Sequence, residues 1–225
     1  MDFSSLSKAL IEASDASTGA IQSGSAAARV YAGVRARIIS LEVSQSPVRE
    51  AIQKLEQEGL VVSYPQSKTL VTKINLDHAR ETQYLRLSVE LEVAKTLAKA
   101  RNPDLLLPSS RILKMQTMAG EDHDISEFIA LDRLFHLSLF QAAGVASLWH
   151  LISGRSGHID RLRTLNLPDP GKMSAVLDLH ERILAAIADA DLQNVESQVR
   201  EHLSGTLASI PAIIEAHPDY FQVRD

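Results

Sequence analysis

Ser46-Pro47-Val48-Arg49-Glu50-Ala51-Ile52-Gln53-Lys54-Leu55-Glu56-Gln57-Glu58-Gly59-Leu60 holds the outline of the fold. A serine before a proline marks a helix start, because the hydroxyl caps a free amide and proline has no N–H to leave unpaired there. Val48, Ile52 and Leu55 repeat at helical spacing, and Gly59 supplies the stop. Downstream, Val61–Tyr64 and Thr69–Ile74 are β-prone runs around Pro65-Gln66-Ser67-Lys68, which predicts a hairpin with a basic tip. Upstream, Val30, Val34 and Ile38 recur every four residues and predict an amphipathic helix over Ala26–Ile39, with Arg35 and Arg37 off its apolar face.

The whole chain has an ordinary globular composition: 225 residues, 45% hydrophobic and 23% charged. Cysteine is absent, which excludes disulfide scaffolds, thiolate zinc modules and thiol nucleophiles and suits a reducing cytoplasm. The Ser/Ala-rich residues 1–24 read as a tail; acidic residues within them and the lack of an apolar centre distinguish them from a signal peptide. No apolar run reaches membrane-spanning length, so no membrane partner is expected. Aromatics at 4% favour helices over an aromatic-cored sandwich. Charge is uneven. Residues 25–74 carry seven basic against four acidic side chains, whereas the total is -5, so a small basic segment precedes a larger acidic one.

After Asn75 the pattern becomes long helices with polar breaks, predicted at Asp77–Arg101 (buried along Leu87, Leu91, Ala94 and Ala98), Ser109–Met118, a helix opened by Asp124-Ile125-Ser126-Glu127 and running to Gly144, Ser147–Leu165, Pro170–Ala190 and Leu192–Ala216. The expected fold is mainly α, ending in an antiparallel bundle of about six helices. Of the eight histidines, His136 stands four residues after Asp132, in register with Leu131, Phe135 and Leu139. His180 precedes Ile183 and Ile187 on a core-facing stripe, and His202 lies beside Val199 and Leu203. One carboxylate and three imidazoles facing a bundle interior form a coherent divalent-ion site. Structural histidines satisfied within the core are the alternative. Such a donor set suits zinc first, with nickel, manganese or iron as further candidates. It also leaves room for an oxygen donor from a small organic acid, with Arg86, Arg161 or Arg163 to neutralise it and His158 facing the same space.

Helix, proline-capped helix and basic-tipped hairpin follow the outline of a winged helix-turn-helix. The cassette at Ser46–Leu60 resembles the recognition-helix region of GntR-superfamily transcription regulators, and the helical half resembles the FCD ligand-binding domain of their FadR-like branch. The resemblance covers about residues 25–220. It implies a tail over 1–24, a DNA-binding domain over 25–74 and a helical effector- and metal-binding domain over 75–225. It also implies Asp132, His136, His180 and His202 as metal ligands, with Arg86 as the preferred effector arginine. A recognition helix places its first residues on base edges while neighbouring elements hold phosphates. Gln45, Ser46 and Arg49 would then read bases, Arg49 by a bidentate guanine contact, while Arg35, Arg37 and Lys68 hold the backbone.

One departure stands out. Only Leu41, Glu42 and Val43 separate the first helix from Ser44, where a helix-turn-helix needs another helix and turn, roughly twenty residues by the resemblance. Either the DNA-binding domain is shortened or a mobile segment is absent from this sequence. The expected function is a cytoplasmic, homodimeric regulator, a repressor by default, on a palindromic double-stranded DNA operator, whose metal-containing helical domain senses a small carboxylate or sugar acid. The alternatives are a metabolite-binding protein with a shortened, inactive DNA-binding domain and a mononuclear metal hydrolase built on the same four ligands.

Overall fold

The computed structural model describes residues 26–40, 45–169 and 171–222, so the tail over 1–24 and the junction at 41–44, with the segment inferred to be missing there, lie outside the described residues. The chain divides into two compact units, Met1–Leu55 and Glu56–Asp225.

In the first unit, α1 spans Ala26–Ser40 and α2 begins at Gln45, continuing to Gln57 in the second. The helix starts before the expected cap, and Pro47 is its third residue, still within the turn whose amides have no intrahelical acceptor. Val34 and Ile38, expected to be covered, are 53% and 37% exposed. The helix that a helix-turn-helix would lay on that stripe is the one for which the sequence spacing leaves no room.

In the second unit, Gly59 ends α2 in the left-handed region at φ 74°, and its amide donates to the Glu56 carbonyl at 3.0 Å. Strands β1 (Val61–Ser63) and β2 (Thr69–Val71) pair antiparallel, with Val61 opposite Val71. They are shorter than predicted because the chain turns away at Thr72, whose Oγ1 donates to the Gly59 carbonyl at 2.6 Å. Ile74 then forms a parallel bridge with Phe221, its amide donating to the Tyr220 carbonyl at 2.7 Å. Both side chains are buried with Ala79, Ile159, Leu162, Ile210 and Ile213 in a cluster of their own.

Asn75 opens α3 (Leu76–Ala100) by accepting from the Asp77 and His78 amides, both at 3.0 Å. Leu87 and Leu91 are only half-buried; the inward face is Thr82, Gln83, Arg86 and Glu90, followed by Val93, Ala94, Leu97 and Ala98. The first half of α3 therefore presents polar groups to the interior, and the second half joins the apolar core. A 3-10 turn (Pro103–Leu106) leads to α4 (Leu107–Glu121), and Asp124 caps α5 (Ile125–Ala142) through the Glu127 amide at 2.9 Å. The predicted helix over 147–165 is two: α6 (Ala146–Ser153) and α7 (Gly157–Asn166), broken where Gly154 closes the first. After α8 (Lys172–Ala188) and α9 (Leu192–Ala208), the chain bends at Ser209 into α10 (Ile210–Ala216), because Pro211 cannot donate back into a continuing helix. α4 packs on α5, and α9 packs on α3 and α8. The main core centres on Phe135, Phe140, Trp149 and Ile183. Among the described residues, no helix is long and apolar enough to cross a membrane.

Candidate metal centre

The apolar period of α5 buries Leu131, Phe135 and Leu139 and carries Asp132 and His136 inward with them, 1% and 2% exposed. His180 reaches the same place from α8 and His202 from α9. The four residues present ligand atoms that all lie within 4.8 Å of one another. His202 Nε2 is 3.2 Å from His136 Nε2 and 3.3 Å from His180 Nε2. Asp132 Oδ1 lies 3.7 Å from His180 Nε2, and Oδ2 lies 3.9 Å from His136 Nε2. Nitrogens held about 2.0–2.1 Å from one tetrahedral ion would stand roughly 3.3–3.4 Å apart, which the two spacings to His202 match.

Surrounding groups fix which nitrogens are free. His136 Nδ1 faces Glu90 Oε2 at 2.8 Å, and His180 Nδ1 donates to Gln116 Oε1 at 3.0 Å. With those Nδ1 positions serving as donors, the Nε2 lone pairs point at each other and at His202. His202 can offer one proton to one of them. Asp132, apart from its ion pair with Arg163, receives no hydrogen bond, although both its oxygens are buried. A convergence of lone pairs and carboxylate oxygens is costly when desolvated and is relieved by a shared cation. The rings are held from behind: Phe135 stacks on His180 with centroids 3.9 Å apart and Trp149 on His136 at 5.7 Å.

The electrostatics agree. Burial alone would raise the carboxyl pKa values of Glu90 and Asp132. Arg86 and His136 outweigh it at Glu90, and Arg163 with the three histidines outweighs it at Asp132, so both stay well below the usual carboxylate range. Burial lowers His180 to about 3, with Asp132 opposing only in part. Burial, then His180 and His136, pushes His202 well below its ordinary value. Neutral imidazoles and ionised carboxylates are the forms that bind metal.

Beside His202 opens a cavity of about 160 Å³, walled by Gln83 and Arg86 of α3, Arg163 and Asn166 of α7 and Lys172 of α8. Arg86 Nε donates to Glu90 Oε1 at 2.7 Å, while its buried Nη2 has no partner. Arg86 and Arg163 thus both line the cavity beside the cluster. His158 and Arg161 do not. One face of α7 turns Arg163 and Asn166 to the cavity, and a helical step of about 100° per residue carries His158 and Arg161 elsewhere. His158 Nδ1 accepts from the Asn75 amide at 3.4 Å and its ring meets His78, while burial, then His78 and Arg161, lowers its pKa to about 4. Arg161 donates to the Thr72 carbonyl at 2.6 Å, where the hairpin ends. His150 is exposed.

Glu90 and Gln116 are absent from the sequence-based candidates. Glu90 was signalled only by its spacing of four from Arg86; Gln116 had no local signal, because its role depends on where α4 packs. Arg35, Arg37, Arg49 and Lys68 are exposed, and none has an ion-pair partner among the described residues. The side chains of Gln45 and Ser46 lie outside the described residues.

The FCD domain family matches residues 81–205. The chain is 30% identical over 81% of its length to an HTH-type transcriptional regulator of an unstable DNA locus in Streptomyces ambofaciens, covering 76% of that protein. It is 28% identical over 81% of its length to the HTH-type transcriptional repressor RspR of Escherichia coli, covering 80% of it. It is also 25% identical over 66% of its length to the gluconate operon transcriptional repressor of Bacillus licheniformis, covering 63% of it. Its fold resembles Escherichia coli McbR/YncC with a TM-score of 0.65 at 18% identity, over 81% of this chain and 86% of that one. The matched stretch runs from α3 into α9 and contains the residues of the buried cluster, and the relatives share the DNA-regulator description; this chain belongs to the FCD-domain branch of the GntR family, the ligand-responsive transcription regulators.

Proposed function

We propose that this chain is a homodimeric repressor that holds a divalent ion on Asp132, His136, His180 and His202 and releases a palindromic operator when a small carboxylate enters the adjoining cavity. Zinc is the first choice of ion, with nickel, manganese and iron as alternatives. The observation that carries this reading is the convergence of four ligand atoms within 4.8 Å, from three buried residues and the half-buried His202, beside a cavity lined by an arginine with an unpartnered nitrogen. A bound ion would supply an open position for a carboxylate oxygen. Arg86 Nη2 would donate to the same carboxylate, Arg163 would keep Asp132 ionised and oriented, and Glu90 and Gln116 would fix the imidazole tautomers. α7 touches both the cavity, through Arg163, and the hairpin end, through Arg161 on Thr72, so a shift of α7 on effector binding would be felt at the hairpin. Only an effector with different affinities for the two positions moves that equilibrium.

Residues 25–74 form the proposed DNA-binding domain, using Arg35, Arg37, Gln45, Ser46, Arg49 and Lys68, and residues 75–225 the effector domain. Membership in a regulator family favours this over the mononuclear hydrolase. The test is zinc titration of chelator-stripped protein, followed by DNA binding on a duplex selected from a random pool. One zinc per chain and a carboxylate-dependent loss of DNA affinity are expected; a protein that takes up no metal or is indifferent to every carboxylate sinks the proposal. On the selected duplex, Arg49→Ala should weaken binding by about 1–3 kcal/mol and relax specificity at one position. Arg35→Ala should weaken all sequences alike and flatten the salt dependence. Equal losses on specific and random DNA for Arg49→Ala would remove it from base reading.

A further inference from the structure

The cavity beside His202 has a second end. Along α9 its wall runs from His202 through Gly205 and Thr206 to Ser209, seven residues or about 10 Å at 1.5 Å per residue. At the far end Lys172 Nζ donates to Ser209 Oγ at 3.2 Å and has no ion-pair partner among the described residues. Lys172 is the first residue of α8. That helix has no acidic residue in its first turn and no side chain capping its amides, so an ammonium sits on the positive end of a helix dipole. Among the other long helices, α3 and α5 carry Asp77 and Glu127 in the first turn and α9 is capped by Asp191, whereas α4, like α8, has neither an acid nor a side-chain cap there. An uncompensated lysine on a helix start is unfavourable unless an anion shares the site.

Two buried polar atoms in the same cavity residues also lack partners. Arg86, 4% exposed, has a free Nη2 at the metal end. Asn166 Oδ1 has no donor. The cavity is thus lined at one end by Arg86, ion-paired with Glu90 through Nε but with Nη2 free, at the other by Lys172, and on its wall by the Asn166 acceptor, while the α8 side contributes Ala175, Val176 and Leu179.

Building on the metal–carboxylate reading above, we infer that the effector is a short hydroxy-dicarboxylate, one acid group at Arg86 and the ion-binding cluster, the other at Lys172 and the start of α8. Asn166 accepts from a hydroxyl between them. At roughly 1.2 Å per bond, a diacid of four to six carbons spans about 6–8 Å between its outer carboxylate oxygens, and a charge-assisted hydrogen bond of about 2.8 Å at each end lets it meet both. A monoacid leaves Lys172 without its anion.

Gluconate and glucarate form a matched probe pair, with equal carbon number and a hydroxymethyl or a carboxylate at the sixth carbon. Titrated calorimetrically into the zinc-loaded full chain, glucarate is expected to bind at least about tenfold tighter, equivalent to about 1.4 kcal/mol. Lys172→Gln should erase that advantage while leaving gluconate within about twofold, and Lys172→Arg should retain it. Zinc-dependent binding of gluconate with no preference for glucarate overturns the diacid assignment and leaves the metal–carboxylate reading standing. Equal weakening of both acids by Lys172→Gln overturns the role of Lys172. Binding of neither acid to protein that has taken up zinc overturns both.

Discussion

Replacing His180 by alanine is expected to lower zinc affinity by roughly a thousandfold, about 4 kcal/mol. His180 is fully buried, its Nε2 lies within reach of both His202 and Asp132, and its Nδ1 is held by Gln116. No other described residue offers a donor atom to the cluster, so the vacated position would pass to water or to a weaker contact. Competition against a chromophoric chelator measures the loss directly. His150→Ala, at an exposed histidine on α6, should leave affinity unchanged and controls for general loss of imidazole. A His180→Ala protein that keeps its far-ultraviolet circular dichroism and binds zinc within tenfold of the parent would show that the cluster is a hydrogen-bonded core and not an ion site.

Phe135→Ala should cost about 3–5 kcal/mol of folding stability, read as a shift of the urea midpoint at constant slope. Phe135 is fully buried, belongs to the main core and lies flat against His180. Truncation opens a void and removes the surface that sets the angle of that ring. Phe135→Leu, which keeps most of the volume, should cost much less. Zinc should recover part of the loss in the alanine variant, because a ligand that binds only the folded state adds RT ln(1 + [L]/Kd). A cost below about 1 kcal/mol would mean that the neighbouring helices close the gap and that the ring does not brace the site.

The inward placement of Asp132, His136 and His180 was legible in the sequence because each follows an apolar period, and a helix that buries its leucines buries the polar residue set among them; their grouping with His202 came only from the family resemblance. Their partners were less so. Glu90 looks like any exposed carboxylate one turn from an arginine until α3 is turned toward the centre, and the apolar-looking stripe through Leu87 and Leu91 suggested the opposite rotation. The burial of Arg86 and Glu90 together is a tertiary decision: each is tolerable inside only because the other, and then His136, is there. The same applies to α7, where local pattern grouped His158, Arg161 and Arg163, and the helical step separates Arg163 on the cavity face from the other two once the helix is docked. Caps and stops such as Asn75, Asp124 and Gly59 were readable or near-readable because their chemistry is complete within a few residues.

The chain contains one tryptophan, and it is Trp149, 7% exposed and stacked on the ring of His136 with 12° between the planes. Indole emission is therefore a single-site signal located at the cluster, free of contributions from a second fluorophore of its kind. Any change in the charge of that imidazole is imposed on an indole whose ring centroid lies 5.7 Å away, so binding of an ion at the cluster should be visible as a change in emission intensity in unlabelled protein. The aromatic ring that packs against His136 also makes the domain its own optical gauge.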